Sequence, residues 1–210
     1  MEQFDEDVQL DGLIDRLKQF IGANPKNASA HYNLGVAFMR KEQLDDAEFA
    51  FKLALELDPG MVEAHINLGG LYLRREMLDE AIASNRKALE INPRAILAYN
   101  NIGFARMLQE RYDEAAEAFD QALELKPDLI PARLSLARIM TGRGDLKAAA
   151  GQYEKILEQD PGFALAHYNL AVTCLEAGDL DRAAEHYRQA DELKYPVDPD
   201  VGRRIEAGLG

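Results

Sequence analysis

Along most of the chain, apolar residues recur at three- and four-residue spacing, stop at a short polar stretch, resume, and stop again at a proline. Tyr32, Leu34-Gly35 and Phe38 form one such stripe, Lys41-Glu42-Gln43 interrupts it, and Ala47, Phe51, Ala54 and Leu55 form a second that ends at Asp58-Pro59. This spacing marks one face of an amphipathic helix. A proline lacks the N–H that would continue the ladder and pushes the residue before it out of the helical region. The pattern therefore predicts two helices joined by a turn, and it recurs. Pro25, Pro59, Pro93, Pro127 and Pro161 each stand 34 residues after the last. Leu34-Gly35, Leu68-Gly69, Ile102-Gly103, Leu136-Ala137 and Leu170-Ala171 keep the same interval, as do Ala47, Ala81, Ala115, Ala149 and Ala183. A helix pair this short cannot bury its apolar face alone, so successive pairs must stack into a continuous core.

Both flanks extend the pattern. Leu10, Leu13, Leu17, Phe20 and Pro25 fall on second-helix positions, so residues 8 to 22 are expected to form the second helix of an incomplete leading repeat. After Pro196, Val201, Ile205 and Leu209 at four-residue spacing predict a short closing helix. The third residue of its stripe lies before a glycine end that is expected to fray. Departures from the pattern predict looser packing in the second to fourth units: Asn85 replaces an aromatic, Arg106 stands where Phe38 and Tyr72 do, and Arg133 stands where other units have His or Tyr. The fourth unit also carries Ile156 in place of Ala, and Pro131 in a first helical turn, where proline is tolerated.

The 34-residue period, the Leu-Gly or Leu-Ala pair, the following Ala, the aromatics Phe51, Phe119, Tyr153 and Tyr187, and the closing Pro together resemble tetratricopeptide repeats. The resemblance implies an all-α fold, a right-handed α-solenoid of stacked antiparallel helix pairs. Residues 1–27 would be an N-terminal capping helix, 28–61, 62–95, 96–129, 130–163 and 164–197 five repeats, and 198–210 a short C-terminal capping helix. It also implies a protein-interaction scaffold or adaptor that binds an extended or helical segment of a partner in a concave groove. The alternative is a structural module whose repeat edges or convex face make an oligomer or a fixed subunit contact.

Groove residues follow from the same resemblance. Asn33, Asn67, Asn101 and Asn169, with Ser135 in the fourth place, share one first-helix position. A carboxamide donates and accepts at once, so such a column can hold the backbone of an extended peptide, as in the asparagine ladders of O-linked N-acetylglucosamine transferase and kinesin light chain repeats. Tyr32, Arg40, Arg74, Phe104, Arg138 and Tyr168 lie beside it, and Arg40-Lys41 with Arg74-Arg75 make one basic spot, which suits either an acidic stretch of ligand or solvated first-helix ends that balance the helix dipole. The two-carboxylate clamp that related repeats use on chaperone tails finds one match in five among Tyr32, Val36, Asn67, Leu97 and Asn101, which disfavours that ligand.

Charge narrows the partners to protein or peptide. A net charge of −13 and a pI of about 4.8 argue against nucleic acid and anionic membranes. No apolar run approaches the ~18 residues of a membrane span, and the acidic start Met1-Glu2-Gln3-Phe4-Asp5-Glu6-Asp7 is unlike a secretory signal, so a cytoplasmic protein is expected. Oligomeric state stays open. Cys174 alone makes no disulfide and no zinc site, and its place matches the buried Phe38 and Tyr72. His31, His65 and His167 recur at one repeat position, but equivalent places in stacked helices lie about 8–10 Å apart, too far to share a metal, so imidazoles wedged between helices are expected. Asp45-Asp46, Asp79-Glu80 and Asp113-Glu114 open second helices, where carboxylates suit the helix dipole. Arg143-Gly144-Asp145 falls in an inter-helix turn. With no phosphate-binding Gly-rich loop and no Ser-His-Asp set, neither an enzyme nor a cofactor is expected.

Overall fold

The computed structural model describes residues 2–209, with side chains from residue 9 onward; the side chains of the acidic start and the two terminal residues lie outside it. Among the described residues the chain is all-α, with twelve helices and no strand. They are α1 (Glu2–Ala23), α2 (Ala28–Arg40), α3 (Leu44–Leu57), α4 (Val62–Arg74), α5 (Leu78–Ile91), α6 (Ile96–Leu108), α7 (Tyr112–Leu125), α8 (Ile130–Gly142), α9 (Leu146–Gln159), α10 (Ala164–Glu176), α11 (Leu180–Glu192) and α12 (Pro199–Leu209). No described helix is long and apolar enough to cross a membrane. The chain divides into two compact units at Glu110 and Arg111, the turn between α6 and α7.

In the first unit α2 packs on α3 and α4 on α5, each hairpin then meeting the next helix, while α1 packs on α2. The first helices α2, α4 and α6 touch in sequence and so share one side. In the second unit α8 packs on α9, α10 on α11, and α12 on α11 through Val201 and Ile205.

Four of the five α2-to-α3 type turns share the same pair of closing bonds. The N–H of Gln43 donates to the Phe38 carbonyl and that of Glu42 to the Met39 carbonyl, and the same pair of bonds recurs at Met77 and Glu76, at Asp145 and Gly144, and at Asp179 and Gly178. This is the Schellman closure of a helix, which places one residue in the left-handed region. That residue is Gly144 or Gly178 in the last two repeats, but Glu42, Glu76 and Glu110 in the first three, with φ near +60°. A side chain there costs about 1 kcal/mol or more. Glu76→Gly and Glu110→Gly are therefore each expected to raise stability by about 1 kcal/mol, read as a higher urea midpoint; an unchanged or lower midpoint would refute the strain.

The next link, from second helix to next first helix, carries the proline. Asp58, Asn92 and Asp160 accept with Oδ1 from the N–H two residues on, at 3.0 Å each, turning the chain around the proline between them. The core is lined by the periodic alanines, Ala47, Ala81, Ala115, Ala149 and Ala183, all without exposed surface, each allowing close helix approach. The looser packing expected in the middle repeats is not found at the departing residues. Asn85 and Ile156 are fully buried and Arg106 and Arg133 nearly so. Hydrogen bonds meet most of the polarity instead: Asn85 Nδ2 donates to the Ala81 carbonyl at 2.8 Å, Arg106 Nη1 to Gln109 Oε1 at 2.8 Å, and Arg133 Nη1 to Gln152 Oε1 at 2.7 Å, while Arg133 Nε is buried with no hydrogen-bond partner.

Polar side chains also tie successive repeats. Lys41 pairs with Asp11 and Arg75 with Asp45, Gln109 donates to Asp79 at 2.9 Å, and Arg143 to Asp113 at 2.5 Å. In every case the carboxylate stands 30 residues before its partner. The acidic helix starts thus serve the dipole and also reach the turn of the following repeat. Lys147 and Ala177 end the series, and Arg182 pairs with Glu154 there instead.

Candidate interaction face

Four asparagines were expected to form one column, and the structure gives them different environments. Asn33 on α2 is exposed, whereas Asn67 on α4, Asn101 on α6 and Asn169 on α10 are half-buried. Asn67 Nδ2 donates to the Tyr32 hydroxyl at 3.0 Å, and the Tyr32 ring leans on Phe51 with centroids 5.9 Å apart. Burial raises the Tyr32 phenol above its ordinary range, so it stays protonated and can accept from Asn67 while donating elsewhere. Asn101 Nδ2 donates to Asn85 Oδ1 at 3.2 Å, with the Ile66 carbonyl at 3.5 Å. The place of the expected Ser135 is different: it is buried, and its hydroxyl donates to the Pro131 carbonyl of its own helix at 2.9 Å.

Three of the expected groove residues meet in one hollow. Arg40 on α2 and Asn67 and Arg74 on α4 line a cavity of about 360 Å³ together with Val36, Met39 and Glu42. Met39 and Glu42 were not read from the sequence, although Glu42 belongs to the periodic set Glu42, Glu76 and Glu110 that marks the left-handed turn position. Glu42 Oε1 accepts from Arg74 Nη2 at 3.0 Å. Both side chains are largely exposed, so the pair is weak and a competing carboxylate can displace it. The hollow therefore offers apolar contact from Val36 and Met39, an amide with one N–H and its oxygen unspent, and two guanidinium groups. Phe104 on α6 is half-buried.

In the second unit, Arg138 on α8 is exposed, and the Tyr168 ring on α10 packs against Tyr195 with centroids 5.2 Å apart. Tyr168 is thus partly covered by the segment after α11, a contact the repeat pattern did not predict because Tyr195 lies where the period slips.

The recurring histidines have a structural use. His31 Nε2 meets the Pro25 carbonyl at 2.9 Å, His65 Nε2 the Pro59 carbonyl at 3.1 Å, and His167 Nε2 the Pro161 carbonyl at 3.0 Å; Arg133 donates to the Pro127 carbonyl in the same way. Each clasps the proline link six residues earlier. A carbonyl only accepts, so His167 Nε2 carries the proton, and Nδ1 accepts from His186 Nδ1–H at 3.1 Å. Burial, and next the facing His167, hold His186 below the usual imidazole range, so the His186 ring is neutral at pH 7. Among the described residues no group of three or more His, Cys, Asp or Glu could hold a metal ion. Cys174 is buried and burial pushes its thiol up, the reverse of what activates a nucleophile.

Comparison with known proteins agrees with the repeat architecture. One tetratricopeptide repeat model matches residues 28–61, 62–94 and 96–129, and another matches residues 134–196. No curated protein matches the chain. Among solved structures, YrrB, described as a TPR protein with an unusual peptide-binding site, is 26% identical with a TM-score of 0.71, covering 92% of this chain and 98% of YrrB. PilW, described as a widely conserved type IV pilus biogenesis factor, is 26% identical with a TM-score of 0.75, covering 87% of this chain and 86% of PilW. PilF of Pseudomonas aeruginosa, at 19% identity and a TM-score of 0.82 over 96% of this chain and 91% of that one, shares the fold. With helix hairpins repeating every 34 residues and repeat models matched over most of its length, the chain belongs to the tetratricopeptide repeat family.

Proposed function

We propose that this scaffold binds an extended or helical segment of a partner protein on the side formed by α2, α4 and α6, with a carboxylate of that segment at Arg40 and Arg74. The observation that carries the reading is the hollow itself, where the Asn67 amide keeps a donor and an acceptor in hand beside two arginines and two apolar side chains. Peptide backbone needs the first pair, and an acidic side chain or terminus suits the second. The peptide-binding description of YrrB supports the same class of ligand. On this reading α1 and α12 close the two ends of the repeat array.

Affinity capture from native cell extract tests it, comparing wild type with Asn33→Ala/Asn67→Ala and with Arg40→Glu/Arg74→Glu. Asn101 is left alone because its removal strands the buried Asn85 oxygen, at a cost of about 1–3 kcal/mol. Each lost hydrogen bond is worth about 0.5–1.5 kcal/mol, so the double asparagine variant should bind a recovered partner at least about fivefold more weakly, and the charge reversal should weaken it as much. Undiminished retention by both folded variants moves the binding surface off this side, to the repeat edges or the opposite face.

A further inference from the structure

The outer surface of α3 departs from every other second helix. At 34-residue intervals the position of Phe49 holds Ala83, Glu117, Gly151 and Glu185, and that of Leu53 holds Lys87, Gln121, Lys155 and Gln189. Small or polar residues are what a solvent-facing helix position takes. Phe49 is nonetheless 66% exposed, one helical turn from Leu53. The neighbouring helix is changed in step, since Ile14 of α1 stands where α3 has Glu48. In the next repeat Glu48 is closed off by Arg75 and by the Tyr72 hydroxyl, whereas Ile14 is buried in the apolar cluster that holds Leu34 and Phe38.

These substitutions leave a cavity of about 440 Å³ between α1, α2 and α3, lined by Ile14, Phe38, Phe49 and Leu53 among others. An apolar cavity of about 150 Å³ takes a benzene ring, so there is room for two bulky side chains. The edges are acidic on both sides: Asp11 and Asp15 on α1, Asp46 on α3. Asp11 is already paired with Lys41, and Lys18 lies over the Phe38 ring at 5.6 Å. Asp15 and Asp46 have no ion-pair partner among the described residues. A second copy of a chain carrying −13 would set these carboxylates against their own kind. A basic segment would neutralise them. Two apolar anchors one turn apart, flanked by cations, are what one face of a helix presents.

We propose that the groove between α1 and α3, floored by Ile14, Phe38, Phe49 and Leu53 and edged by Asp15 and Asp46, docks a basic amphipathic helix of another protein. This surface is separate from the side formed by α2, α4 and α6 and stands whether or not that side binds peptide.

Fluorescence anisotropy of the full chain with labelled peptides of about 15 residues, long enough for a helix, tests it. One carries leucines on a single helical face with lysines elsewhere, a second has glutamates for the lysines, and a third has the first's composition with the leucines scattered. The variants are Phe49→Glu/Leu53→Gln, which installs the residues of the third repeat, and Asp15→Asn/Asp46→Asn, each checked for an unchanged circular dichroism melt. The leucine–lysine peptide is expected to bind wild type, to lose about tenfold or more on the first variant, and to lose affinity and salt dependence on the second; the other two peptides are expected not to bind. Equal binding to wild type and Phe49→Glu/Leu53→Gln, equal binding of the scattered or glutamate peptide, or no binding of the first peptide overturns the proposal. So does sedimentation showing that wild type self-associates through Phe49.

Discussion

Phe51→Ala is expected to lower the unfolding free energy by about 3–5 kcal/mol, the usual cost of emptying a fully buried phenylalanine site. Phe51 has no exposed surface, supports Tyr32, and lies in the core cluster joining α1 to α5. The ring fills space that no neighbour can take up. Across α2 it faces Gly35, which has no side chain, and the alanines at 47, 50 and 54 on its own helix are too short to close the gap. In a repeat array the loss falls first on the repeat that holds it and its neighbours. Urea unfolding followed by circular dichroism should show a lower midpoint for the first unit, and Tyr32 should lose its orientation with it. A drop below about 1 kcal/mol would mean that α2 and α3 collapse onto each other, and the jigsaw description of that contact would fail.

Gly35→Ala probes the same contact from the other side and is expected to be destabilising even though alanine is the better helix former. A methyl built at Gly35 would sit 2.7 Å from two carbons of the Phe51 ring. The ring is enclosed on all sides and has nowhere to swing. Overpacking of this kind costs about 1–3 kcal/mol, against a gain of about 1 kcal/mol in helix propensity. The decisive measurement is the double variant. With the ring gone the methyl meets no obstacle, so Gly35→Ala should turn neutral or stabilising in the Phe51→Ala background, a coupling of about 0.5–3 kcal/mol. Strict additivity of the two changes would place the strain elsewhere.

The same pair explains why the middle repeats are not loose. In the second repeat Gly69 is kept while the aromatic becomes Asn85, whose Nδ2 would be 2.1 Å from a methyl at Gly69. A smaller, polar side chain thus occupies the ring's site, and it is retained with its amide bonded to Ala81 and its oxygen to Asn101. Arg133 and Arg106 likewise enter the core on hydrogen bonds. From the chain alone these read as defects, because a pattern of residue types records where an apolar group is missing and not what an amide or guanidinium finds when it arrives.

What the amino-acid sequence determined by itself was everything that rests on local rules: helices from apolar spacing, their ends from proline, the 34-residue period, and stacking as the only way such pairs bury their faces. Tertiary structure alone decided where the polar side chains spend their hydrogen bonds. It sent His31, His65 and His167 to proline carbonyls, Asp11, Asp45, Asp79 and Asp113 to partners 30 residues on, and Asn101 to Asn85, and it gathered Arg40, Asn67 and Arg74 around one hollow. It also left Phe49 in water beside an open groove. Burial of an apolar face is non-directional and follows from composition along a helix, whereas a hydrogen bond needs its partner within about 3 Å and in line, which only the packed helices can supply.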